Sequence, residues 1–164
     1  MRKGDEPKSV PRSQYIPMSD KEIWDFLDAQ KILFVATVSR DCKPHNTPVW
    51  FVVHQGNLYF RSQGYKVKVK NIRNTQRVSC SAHDGSKYTE LRGITMEARA
   101  TIVRDNALIE LVDNMLMEKY KEERNYHQMP PVWRKRWELE KRRVVEITPL
   151  KIASWDNNKW LQQF

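Results

Sequence analysis

Residues 44–62, PHNTPVWFVVHQGNLYFRS, limit what this chain can fold into more tightly than any other stretch. Thr47, Val49, Phe51 and Val53 alternate with Asn46, Pro48, Trp50 and Val52, the period-two pattern of a strand with two distinct faces. His54-Gln55-Gly56-Asn57 follows, and Gly56 can supply the positive φ of a tight hairpin turn. Leu58-Tyr59-Phe60-Arg61-Ser62 then reads as the return strand. Strands joined this closely pair antiparallel, because a parallel pair needs a long crossover. Pro44 and Pro48 cannot donate to a ladder, so one side of the first strand is expected to be an edge, a bulge or a ligand-facing surface.

Beyond the hairpin the chain becomes basic. Residues 61–77 contain six Lys or Arg (Arg61, Lys66, Lys68, Lys70, Arg73 and Arg77) and no Asp or Glu. A strand end with cations and a hydroxyl, leading into a helix start, can gather ammonium, hydroxyl and free N–H groups around one phosphate. The same residues equally describe an ordinary hairpin followed by a solvated basic helix.

The remaining pattern is mostly short strands. Ser19 and Glu22 form a capping-box pair at the start of a helix that ends near residues 29–31, with Ile23, Trp24, Phe26 and Leu27 as its apolar face. Residues 32–39, ILFVATVS, are apolar on both faces and predict a central strand. Residues 78–83 predict another, closed by the Asp84-Gly85-Ser86 turn. Residues 88–103 alternate over a long span, and Gly93 predicts a bend or bulge within it. Asp105 or Asn106 caps a helix expected from Ala107 to about Glu123, with Leu108, Leu111, Val112, Met115, Leu116 and Tyr120 as its buried stripe. A loop and a short helix over 132–141 follow. Residues 143–149 form the last clear strand, extended by 151–156 after a break at Pro149. Short links between strands argue for an antiparallel barrel with helical additions rather than a parallel α/β sheet.

Composition bounds the rest. The 164 residues suit one domain with a real core, and 40% apolar content with six Trp opposes disorder. Residues 1–17 carry Pro7, Pro11 and Pro17 and read as a flexible arm, leaving 18–164 as a single domain. No apolar run reaches membrane-spanning length and no signal-peptide core follows the first Met, so no membrane partner is expected. Cys42 and Cys80 lack metal or redox spacing, which suits a reducing cytoplasm. His45 and His83 have no acid or thiol cluster at ligand spacing, so no metal site is expected. The net charge of +9 admits nucleic acid, but no zinc-finger, RRM or KH signature is present, and the charge also suits a phosphorylated cofactor.

Four segments in order carry a family likeness: LFVATVSRDCKPHNTPVWF (33–51), LYFRS (58–62), KVKNIRNTQRVS (68–79) and RGITMEARATIV (92–103). With VVEITPLKIASWD (144–156) as a closing strand, the chain resembles the flavin-binding split-barrel proteins of the pyridoxamine 5′-phosphate oxidase-like superfamily. The resemblance implies a mainly β fold, a six-stranded antiparallel split β-barrel of Greek-key type, in a homodimer with FMN at the subunit interface. Carried over by position, Arg61, Ser62 and Lys68 would meet the FMN phosphate. The backbone around Thr47, Pro48, Val49 and Trp50 would bond the polar edge of the ring, and Trp155 would reach the flavin region of the second subunit. No Ser/His/Asp or Cys/His set suggests covalent catalysis, so catalytic residues are left unassigned. The implied activity is that of an FMN-dependent oxidoreductase acting on a small-molecule substrate or electron donor. The end of the chain, NNKWLQQF, lacks the oxidase's Arg-x-His substrate segment, which argues against pyridoxamine 5′-phosphate itself. A deazaflavin-dependent reductase, FAD in place of FMN, and a non-catalytic flavin carrier are the alternatives; a nucleic-acid-binding role ranks last.

Overall fold

The computed structural model describes residues 17–123, 130–132 and 142–162. Most of the arm at 1–17 and nearly all of the helix expected at 132–141 lie outside the described residues. The elements in order are α1 (Asp20–Ala29), β1 (Leu33–Val38), β2 (Pro44–Val49), β3 (Phe51–His54), β4 (Asn57–Gln63), α2 (Val67–Thr75), β5 (Arg77–Asp84), β6 (Arg92–Ile102), α3 (Asn106–Lys119) and β7 (Arg142–Asp156). A single 3-10 turn precedes β6 at Tyr88–Glu90, and a six-residue 3-10 helix follows β7 at Asn157–Gln162.

All seven strands join one antiparallel sheet in the order β2-β1-β5-β6-β7-β4-β3. The fold is mainly β, as expected, but the sheet has seven strands rather than six. The extra strand comes from the segment expected to be a single strand. It divides at Trp50: β2 pairs with β1 at one edge of the sheet, and β3 pairs with β4 at the other. Consecutive strands at opposite edges require the sheet to curl, and Trp50 links the two edges. The hairpin turn forms as predicted, with Gln55 at φ 48° and Gly56 at φ 75° between the paired residues His54 and Asn57.

Side-chain alternation places two cores. The larger fills the inside of the curl with Leu33, Val35, Phe51, Leu58, Phe60, Ile94, Met96, Val145 and Ile147, closed by Phe26 and Leu27 of α1. A smaller one lies on the opposite face of β3 and β4, where Val52, Tyr59 and Val144 meet Val112 and Leu116 of α3 and Tyr120 just beyond it. Burial of each large side chain contributes about 1.5–3 kcal/mol. The capping box at Ser19 and Glu22 forms, and Asp105 is the cap of α3, accepting from Ala107 N–H at 2.9 Å.

β1 is central as expected, paired with β2 and β5, but only one of its faces is fully buried, with Phe34, Ala36 and Val38 half-buried on the other. Three expectations are corrected. Gly93 is not a bend: β6 runs straight through it, paired with Trp155. A Cβ there would lie 2.7 Å from Trp155 Cζ2 and 2.8 Å from the Ala82 carbonyl oxygen, so the glycine permits close packing. Pro149 does not break β7. Ala98 pairs with Pro149 and Glu97 with Lys151, leaving Leu150 as the extra residue of a bulge that absorbs the missing N–H. α3 stops at Lys119, before the expected end near Glu123, because Tyr120 turns inward to hydrogen-bond the strand break.

Candidate functional site

The Trp50 break and the end of β4 border the same open cleft, of about 230 Å³. Pro48, Val49 and Trp50 form one wall. Arg61, Ser62 and Gln63, the last three residues of β4, and Lys68 from the first turn of α2 form the other. Leu116 of α3 and Arg142 at the start of β7 complete the lining. Six of the eight residues singled out in the sequence therefore surround one cavity. Thr47 and Trp155 do not line it. Thr47 sits further along β2, and its buried Oγ1 has no hydrogen-bond partner among the described residues. Trp155 packs over Gly93 at the far end of β7.

Trp50 is held from behind. Its ring stacks on Tyr120 with centroids 4.5 Å apart and planes 7° apart. The Tyr120 hydroxyl accepts from Phe51 N–H at 2.8 Å, and its proton faces the carbonyls of Phe51 and Lys31, each at 2.9 Å. One buried hydroxyl thus satisfies the backbone where β2 becomes β3. Burial pushes the Tyr120 phenol up to about 12, so it stays protonated and able to donate. The neighbouring Lys119 ammonium lies over the Phe51 ring at 4.4 Å, and burial pulls it down to about 8 despite the nearby Asp28.

The strand pleat sends Arg61 and Ser62 to opposite faces, and both still border the cleft because it opens at the strand end. Arg61 turns toward α3, where its Nε contacts Asp113 Oδ1 at 3.1 Å. Ser62 is buried. Lys68 reaches the cleft from the first turn of α2. Its cap residue, Lys66, makes no side-chain cap bond, and the first turn has no acid, so the positive end of the helix stays unneutralised. Burial, and secondarily the charge of Lys66, lower the pKa of Lys68. Asn71, buried in α2, donates to Thr37 Oγ1 at 3.0 Å, and Thr37 donates to the His45 carbonyl at 3.2 Å. That relay fixes α2 against β1 and β2 and so sets where Lys68 stands.

Sequence reasoning missed Gln63, Leu116, Arg142 and Asp113. Leu116 was legible only as core stripe. Arg142 reaches the cleft because it pairs with Gln63, a register between residues far apart in the chain. Among the described residues the cleft is lined by three cations and no carboxylate, with Asp113 behind Arg61, and so suits an anion set against an apolar wall. Among the described residues no group of His, Cys, Asp or Glu can hold a metal ion. No helix among them is long and apolar enough to cross a membrane.

Residues 19–156 match the model of the pyridoxamine 5′-phosphate oxidase family. The chain belongs to this family. No curated protein matches it in sequence. Among solved structures it is similar to a conserved protein of Mycobacterium tuberculosis, with 28% identity, 91% of each chain covered and a TM-score of 0.76. A FAD-binding protein of Mesorhizobium loti shares the fold at 14% identity and a TM-score of 0.65, over 85% of this chain and 95% of the other. A FAD-binding protein of Mycobacterium smegmatis does so at 21% identity and a TM-score of 0.61, over 85% and 97%. The family fold is the split barrel, and here the split-barrel strands place the cleft where the two sheet edges meet.

Proposed function

We propose that this member of the pyridoxamine 5′-phosphate oxidase family binds a flavin, FMN in the first instance, and works as a cytoplasmic oxidoreductase on a small-molecule substrate or electron donor. The observation that carries the reading is the meeting of Pro48–Trp50 with Ser62 and Lys68 around one cleft, since these are the two halves that a flavin phosphate needs: an apolar wall and a cationic end. The residues fit such a group. Lys68 is a partly buried ammonium with no carboxylate partner among the described residues, and an anion is what offsets the cost of burying it. FAD-binding neighbours of the same fold add support.

In this reading Lys68 and the N-terminus of α2 hold the phosphate, and Ser62 donates its hydroxyl to it. Arg61 adds charge but is partly neutralised by Asp113, so it acts more on orientation than on affinity. Trp50, braced by Tyr120, limits water on one side of the ring, and the backbone of residues 47–50 offers N–H and C=O groups to its polar edge. Bound flavin supplies hydride and electron transfer. Residues 18–164 act as one domain in a homodimer, in which Trp155, away from its own cleft, serves the cleft of the second subunit.

The test is direct. The purified protein, reconstituted with FMN, is expected to turn yellow, elute as a dimer and lose its flavin absorbance anaerobically with a suitable reductant. A protein that takes up no flavin overturns the proposal; one that stays yellow with every donor tried is a carrier rather than an enzyme.

A further inference from the structure

A second cationic pair stands one residue beyond the cleft. Gly64 follows Gln63 of the cleft wall, and two arginines converge on it from different elements. Arg73, from the last turn of α2, places Nη2 at 3.5 Å from where a Gly64 Cβ would be and donates through Nη1 to the Gly64 carbonyl at 3.3 Å. Arg143, opposite Ser62 on β7, places Nε at 3.7 Å from the same point. The two nitrogens are therefore at most about 7 Å apart, a separation at which like charges raise each other's energy unless an anion lies between them. No described carboxylate pairs with either arginine. Both side chains are exposed, and without a side chain at Gly64 the surface between them is bare backbone.

We propose that Arg73, Arg143 and the Gly64 backbone form a second oxyanion subsite, continuous with the cleft, that takes the distal phosphate of a diphosphate-bearing flavin. The proposal rests on the flavin reading of the cleft and goes beyond it: Lys68 and Ser62 hold one phosphate, and the arginine pair holds the next. Two guanidiniums suit this task because each offers a planar fork of donors to a phosphate, which one lysine cannot do. The pair gives the site a reason to favour a dinucleotide flavin over the mononucleotide. A chain with only the Lys68 end would gain nothing from the second phosphate.

The experiment compares wild type with the Arg73→Gln/Arg143→Gln double variant and with Arg143→Lys. Affinities for FAD and FMN are read by flavin fluorescence, and inorganic pyrophosphate and inorganic phosphate are titrated alone by calorimetry. The double variant is expected to lose about tenfold or more in affinity for FAD and for pyrophosphate, with FMN and phosphate changed by less than about twofold. Arg143→Lys, which keeps the charge and the fold, is expected to retain part of the FAD affinity. Equal losses for FAD and FMN, or no loss for either, overturn the subsite and leave two solvated arginines. The calorimetric arm separates the two readings. Pyrophosphate binding that the double variant abolishes supports the subsite even if no flavin binds. Flavin binding that is indifferent to the double variant refutes the subsite and leaves the cleft reading intact.

Discussion

Replacing Tyr120 by Phe removes one oxygen atom and tests how the barrel closes. The ring stays, so the stack on Trp50 and the packing against Val52 and Val112 are kept. What is lost is the acceptor for Phe51 N–H and the donor shared by the Phe51 and Lys31 carbonyls. Phe51 is fully buried, so water cannot replace the hydroxyl, and an orphaned buried donor costs about 1–3 kcal/mol. Taking the middle of that range, urea unfolding followed by tryptophan fluorescence should show the midpoint falling by about 1 M with an unchanged slope. The melting temperature should fall by roughly 4–8 °C for a domain of this size. The loss should also reach the cleft, because the same bonds fix Trp50: FMN affinity should drop several-fold without a change in the FMN-to-riboflavin ratio. A stability change below about 0.5 kcal/mol would refute the reasoning, since it would mean that water or backbone movement satisfies Phe51 N–H and that the break at Trp50 needs no brace.

Other outcomes follow from the same contacts. Lys119 titrates near 8 in the folded chain against 10.5 when free, so between those values the unfolded chain holds a proton that the folded chain has shed. Stability should therefore rise as pH increases from about 8 to about 10.5, by about 1–2 kcal/mol after allowing for solvent screening of a partly exposed group. Lys119→Met should raise stability at pH 7 and flatten that rise; an unchanged pH profile in the variant would assign the slope to other groups. Gly93→Ala should cost about 1–3 kcal/mol in thermal unfolding, because its Cβ would press on the immovable Ala82 carbonyl as well as on Trp155. An unaltered melting temperature would show that β6 and β7 can separate there at little cost. If the proposed dimer forms, Trp155→Ala should weaken flavin binding although the residue does not line its own chain's cleft; unchanged affinity would confine Trp155 to packing on Gly93.

Local signals carried much of this fold. The Gly56 turn and the Ser19–Glu22 cap depend on residues a few positions apart, and both form; of the expected stripe, Leu108, Val112, Met115, Leu116 and Tyr120 pack inward, while Leu111 is exposed. The family likeness rested on ordered short motifs, and the matched span bears it out. What stayed hidden was pairing between distant segments. The segment from Thr47 to Val53 reads as one continuous strand, with no turn signal at the change of partner at Trp50. Its traces are Pro48 just before it and the adjacent apolar pair Phe51 and Val52, which are buried in different cores. Gly93 looked like a bend because its neighbour Trp155 is on another strand. In the same way, Asp113 was one polar residue on a helix until β4 brought Arg61 to it. The cleft's lysine was legible in the basic run, whereas its companion Arg142 depended on a register that only the folded sheet supplies.

The most direct test of the cleft as a flavin phosphate site is Lys68→Ala, with FMN and riboflavin titrated side by side under the same conditions. Loss of a charge-assisted contact to phosphate is expected to weaken FMN by roughly 10- to 100-fold while riboflavin, which lacks the phosphate, changes by less than about twofold. Equal weakening of both, or of neither, would contradict the assignment of Lys68 and of the cleft's cationic end.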